Sequence, residues 1–79
     1  MLNLKEILLD LAAAIVDHPD DVVVLEEEQG NEVTLTLSVH ADDMGMVIGR
    51  HGRIAKAIRS VMKAAAGTDG KKVNVEIKD

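Results

Sequence analysis

Five consecutive residues, Gly49-Arg50-His51-Gly52-Arg53, carry the densest chemical information in this 79-residue chain. Two glycines bracket a basic pair, and a third basic residue follows. Glycines at both corners permit a reversal that side chains would block, and they let another backbone come close. A helix beginning at Gly52 presents unpaired N–H groups and the positive end of its dipole to whatever lies in front of it. Arg50 and Arg53 set full charges beside those donors. A phosphodiester matches the combination in shape, sign and hydrogen-bond demand. Paired glycines at this spacing are a weak signal alone, because many tight turns between helices contain them, so the reading depends on the surrounding elements.

Other chemistries find less support. His18, His40 and His51 sit in different elements at no recognised metal-ligand spacing, so neither a metal site nor a cofactor is expected. His18 reads as helix-end punctuation and His40 as an exposed strand end. Ser38 and Ser60 lack a nucleophile-elbow pattern around them. The loop also lacks the G-x-x-x-x-G-K-[ST] sequence that holds nucleotide phosphates and Mg²⁺. Glu26-Glu27-Glu28 reads as a solvated loop edge, since adjacent strand residues point to opposite faces. The expectation is a binding protein and no enzyme.

The elements that must position the loop are legible from periodicity. Leu4, Ile7, Leu8, Leu11 and Ile15 recur at helical spacing, with Asn3 and Glu6 as a capping box and His18-Pro19 as the stop. Val22 to about Glu26 reads as a strand, and Gln29-Gly30-Asn31 as a turn. Val33, Leu35, Leu37 and Val39 alternate with Thr34, Thr36, Ser38 and His40, a strand with one buried face. Asp42 or Asp43 caps a short helix to about Ile48, and a longer helix runs from about Gly52 to Ala66. Gly67 and Gly70 end that helix and make the next turn. Val73, Val75 and Ile77 alternate as the last strand. The order is α-β-β-α-α-β, an α+β fold with a three-stranded sheet and helices packed on one face. On the long helix, Ile54, Ile58, Val61 and Ala65 are expected to face the sheet, and Arg53, Lys56, Arg59 and Lys63 the solvent.

Charge supports the anion-binding reading despite a net charge of −5. Residues Met1 to Gly49 hold eleven carboxylates and one base, a net −10, whereas Arg50 to Asp79 hold eight bases and three acids. No acid falls between Arg50 and Lys63, so a local anion site sits on an otherwise anion-repelling body. Cysteine, Phe, Tyr and Trp are absent, which leaves neither disulfides nor thiolate metal sites to supplement the core. A domain of this size buries only roughly 60% of the surface its unfolded chain exposes. Helix packing or self-association must therefore contribute. With no membrane-length apolar run and no signal-peptide pattern, a cytoplasmic protein without membrane contact is expected.

Here the chain resembles a known family. Ile48-Gly49-Arg50-His51-Gly52 matches the I-G-x-x-G core of KH domains, and the element order matches their type II arrangement. Val16-Asp17-His18-Pro19, Leu37-Ser38-Val39, Asp43 to Arg50 and Gly52 to Arg59 further resemble the small bacterial single-KH-domain RNA-binding protein family KhpA. The resemblance spans nearly the whole of residues 1–79, as one KH domain. It implies a groove for about four single-stranded nucleotides, whose backbone the G-x-x-G loop grips. The implied RNA-binding residues are Ile48, Gly49, Arg50, His51, Gly52, Arg53, Ile54 and Lys56. Arg50 and His51 would face phosphate, with N–H groups near Gly52 and Arg53 as further donors. Ile48, Ile54 and Ile58 would form an aliphatic floor, and strand Val33–His40 the opposite wall. One departure concerns Ala55, where many KH domains carry an aliphatic residue, with Ile54 one position earlier. The resemblance further implies a homodimer, a larger KH-containing partner of the KhpB kind, and a role in post-transcriptional regulation or as an RNA chaperone.

A rival reading is a KH-shaped protein-interaction module acting mainly through a protein partner, to which the acidic surface and the Ala64-Ala65-Ala66 run would lend themselves. Such a module has no need of Arg50, His51 and Arg53 around paired glycines, and alanines are common helix filler.

Overall fold

A computed structural model describes residues 3–79. Helix α1 spans Leu4–Ile15, strands β1 and β2 span Val23–Gln29 and Glu32–Ser38, and a short helix α2 spans Met44–Ile48. Helix α3 covers Arg53–Thr68 and strand β3 covers Lys72–Lys78. Single 3-10 turns at Pro19–Asp21, Ala41–Asp43 and Arg50–Gly52 make the corners.

The sheet runs β1-β2-β3. β1 and β2 form an antiparallel hairpin with Val24 opposite Leu37. β3 lies parallel to β2 with Val33 opposite Val73, so the sheet is mixed. Strict alternation on β2 buries Val33, Leu35, Leu37 and Val39. Against this face pack Leu4, Leu8 and Ala12 of α1, Val47 of α2, and Ile58, Met62 and Ala66 of α3. The other face keeps Val23 and Leu25 exposed beside Thr36 and Ser38.

Several boundaries differ from the sequence expectation. α1 stops at Ile15, three residues before His18, because Val16 turns extended and the His18 N–H is taken by the Asp43 carboxylate. β1 continues to Gln29, through the acidic run that read as a loop edge. α3 passes through Gly67 to Thr68, and the stop comes from Gly70 at φ +70°. There Lys71 N–H donates to Ala66 O at 2.9 Å and Gly70 N–H to Gly67 O at 3.1 Å, the paired closure of a Schellman motif. Asn3 caps α1 as expected, its Oδ1 accepting from Glu6 N–H at 3.1 Å.

The buried stripe of α3 is also rotated. Ala55, Ile58, Met62 and Ala66 face the sheet, while Ile54 and Val61 are 38% and 47% exposed and Ala65 is half-buried. At 100° per residue the observed stripe is centred roughly 70° from the expected one. The helix is apolar over both arcs, and the smaller alanines at 55 and 66 allow close approach to the sheet.

Candidate nucleic-acid interface

The loop between α2 and α3 depends on three left-handed residues. Gly49 has φ +76° and ψ 171°, His51 φ +57° and Gly52 φ +72°. Glycine adopts such values freely, and His is among the few other residues that tolerate φ near +57°. Gly49 also has no room for a side chain, since a Cβ there would stand 2.9 Å from both the Cβ and the N of Ile54. Ile54 thus packs over Gly49 and closes the turn.

Arg50, His51, Arg53 and Lys56 are exposed around this turn. Among the described residues no carboxylate pairs with any of the four. Ile48 and Ile54, each a little over one-third exposed, present aliphatic surface on either side of Gly49. Two expectations need correction here. Gly52 N–H donates to Gly49 O at 3.1 Å, and Arg53 N–H to Arg50 O, so these two amides stabilise the turn and are not spare donors for an anion. Ile58 is 4% exposed and belongs to the core, not to a groove floor. Ile54 lies at the surface, whereas Ala55, one position later, is 5% exposed and turned inward.

The opposite wall is likewise different. β2 is the central strand and its apolar face is buried beneath the helices. The strand that borders α3 at an open edge is β3. Arg59 leaves the basic row of α3 to donate its Nε–H to Val75 O at 3.2 Å, which satisfies a carbonyl on that edge. Beside this bond Arg59, Lys63, Val73, Asn74 and Val75 line a groove of about 230 Å³. A second concavity of about 350 Å³, lined by Asn3, Leu4, Glu26, Glu28, Val33, Asp69 and Lys71, carries three carboxylates, and Lys71 pairs with Glu28. Its charge is unsuited to an anion.

A further cluster, which the sequence reading did not bring together, stands at the start of α2. Asp43 is 1% exposed. Its Oδ2 accepts from His18 N–H and from His18 Nδ1, both at 3.0 Å. The His18 ring stacks on His40, with centroids 4.1 Å apart and planes 15° from parallel. His40 Nδ1 accepts the Asp42 N–H at 3.0 Å. Burial pushes the Asp43 carboxyl up, but the His18 ring and backbone bonds outweigh it and hold the group below its ordinary value. The hydrogen bond to Asp43 raises His18 above its ordinary value, against the opposing effect of burial, with smaller help from the charges of Asp21 and Asp42. Asp43 therefore does not cap α2 with its side chain. No local motif signals this contact, because its partners lie twenty-five residues apart.

Residues 5–77 match the family model described as "KhpA/KhpB, KH domain". The chain is 50% identical over 76 residues to a protein of Halalkalibacterium halodurans named RNA-binding protein KhpA, covering 96% of this chain and all of that one. It is 46% identical over 77 residues to the protein of the same name from Bacillus subtilis, covering 98% and 95% respectively. Among solved structures, the GTP-analogue complex of Era with nucleotides 1506–1542 of 16S ribosomal RNA shares the fold, with a TM-score of 0.68 at 20% identity. That alignment covers 94% of this chain and 28% of Era.

Proposed function

The chain belongs to the KhpA/KhpB family of KH domains, and from that premise we propose how it binds RNA. As one KH domain over residues 1–79, it holds a short single strand through Ile48, Gly49, Arg50, His51, Gly52, Arg53, Ile54 and Lys56. The observation that carries this reading is the exposed, acid-free basic cluster on a turn whose first corner, Gly49, only glycine can make. Arg50 and His51 meet a phosphate at the turn, and Arg53 and Lys56 meet those that follow along α3. Ile48 and Ile54 offer aliphatic surface to the bases, and the groove at Lys63 and Asn74 continues the path along the edge of β3. Aromatic stacking, worth about 1–3 kcal/mol per base in other single-strand binders, is not available to a chain without aromatic residues. One copy accordingly binds weakly and with little sequence preference. Fluorescence anisotropy with a labelled RNA of about eight nucleotides tests this against the same sequence in a duplex. Binding to the single strand is expected, and equal or tighter duplex binding would refute it.

Weak single-copy binding suits a cytoplasmic post-transcriptional regulator or RNA chaperone that gains avidity by association, as a homodimer or with a larger KH-containing partner of the KhpB kind. The small core and the exposed Val61 support self-association. Sedimentation at micromolar concentration should show a dimer, and melting temperature should rise with protein concentration. The interaction-module alternative is not favoured, because the family's relatives are named for RNA binding. No helix among the described residues is long and apolar enough to cross a membrane.

A further inference from the structure

We propose that His18 and Asp43 are positioning residues for the Gly49–Gly52 loop: the bond between them fixes α2 against the α1–β1 connection, and with it the loop that α2 delivers. α2 has five residues, too few to hold a helical direction by itself. It buries one side chain, Val47, and has no side-chain cap at its start. Met44 at its first turn is only partly buried against the core, and the polar anchor beside it is Asp43, buried and held by two donors from one distant residue. The other end of α2 is Gly49, which sits so close to Ile54 that a Cβ there would not fit. Movement at Asp43 therefore passes to Gly49 along a rod of about 7.5 Å.

The rings add a second tie. His40 stacks on His18 and holds the Asp42 N–H, so the segment between β2 and α2 is joined to the segment between α1 and β1 twice over. Proline at position 19 limits the backbone freedom of His18. The groups facing the His18 ring are Asp43, Asp42 and His40 from the β2–α2 segment and Asp21 from its own. Three of these four carry negative charge, so a proton on His18 tightens the tie to Asp43. The loop is then held most firmly in mildly acidic solution and less firmly as His18 loses its proton.

The consequence for affinity rests on the RNA-binding reading above, whereas the consequence for the loop does not. The test compares the full chain with His18→Ala and His18→Asn. An Asn side chain sets its amide nitrogen where His18 Nδ1 stands, and so keeps a donor to Asp43 without titrating. In the free proteins, amide exchange at Gly45 to His51 is measured relative to the β2 amides of the same sample. With His18→Ala the loop amides should exchange about tenfold faster relative to β2, with circular dichroism unchanged. His18→Asn should restore protection at pH 7.5. Anisotropy with the eight-nucleotide RNA should show about a three- to tenfold loss for His18→Ala, recovered by His18→Asn. Between pH 8 and 6 the parent should tighten more than His18→Asn does; the two proteins differ only at residue 18, so the difference belongs to His18. Unchanged loop exchange in His18→Ala overturns the proposal, as does a loosened loop with unaltered affinity. If His18→Ala fails to fold, His18→Asn decides through the pH difference, and no difference overturns it. Altered loop exchange in a chain that binds no RNA would support the positioning role and remove the RNA reading.

Discussion

Ile54 occupies the space that a side chain on residue 49 would need. The contact joins the last residue before the turn to the first turn of α3, and it sets the two glycines of the loop apart. Gly49 is required for volume as well as for backbone angle, whereas nothing lies within 4 Å of a Cβ built on Gly52.

Gly49→Ala should therefore destabilise the fold more than Gly52→Ala. At Gly49 the φ/ψ pair lies in a region open essentially to glycine alone, costing about 1–3 kcal/mol for another residue, and the clash with Ile54 adds to it. At Gly52 the penalty is that of a single left-handed residue, about 1–2 kcal/mol. Urea unfolding followed by far-ultraviolet circular dichroism measures both, and equal losses would show that Ile54 yields freely.

Replacing Arg50 and His51 together with Asp should abolish RNA binding and leave the fold intact. Both side chains are exposed, and Asp tolerates the left-handed angles of residue 51. Each exposed change should cost less than about 0.5 kcal/mol. Two carboxylates at the turn would repel the phosphate that two bases attract. Arg50→Asp alone should weaken binding only in part, since Arg53 and Lys56 remain. Anisotropy reports binding and sedimentation the fold; parental affinity in a folded double variant would move the site elsewhere.

Salt should weaken binding gently. Two or three phosphate contacts on single-stranded RNA give a slope of log K against log salt between about −1.5 and −2. The basic surface is one turn and one helix face on an acidic body, so a slope steeper than about −4 would require a footprint this chain does not carry.

Stability should depend on pH through the His18–Asp43 pair. His18 is raised above its ordinary value of 6.5, so its contribution is full below that value and is lost as pH rises through the folded-state value. Asp43 is lowered from its ordinary value of 3.8, so its contribution is full above that value and is lost as acid reaches the folded-state value. Between these limits the parent should exceed His18→Asn in unfolding free energy, and the excess should shrink toward pH 8. A constant difference from pH 5 to 8 would mean that the proton on His18 adds nothing.

Much of this architecture is legible in the sequence, for identifiable reasons. The alternation Val33, Leu35, Leu37, Val39 has one solution, and the paired glycines mark a reversal whatever surrounds them. α3 was harder because it is apolar on two arcs: Ile54 and Val61 are larger than Ala55 and Ala66, yet the alanines face the sheet. Strand order is not encoded in any local pattern, which is why β2 rather than β3 was expected beside the groove. The Asp43 contact was hidden for another reason. An Asp before a short helix reads as a cap, and nothing local reveals that its carboxylate turns back toward a histidine near the end of α1.

The mixed sheet has a consequence for how the chain comes into being. β1 and β2 are joined by a two-residue turn and close as a hairpin on a microsecond scale. β3, which pairs with β2 with Glu32 opposite Lys72, follows α2 and α3 in the chain and is made after them. During synthesis the central strand therefore waits with one edge unpaired, a template for other chains. The carboxylates gathered in the first half, Glu26 to Glu28 among them, give copies in that interval a like charge, which opposes their association. The acidity that looks at first like an obstacle to RNA thus works against edge pairing of the strand whose later partner supplies the carbonyl for Arg59.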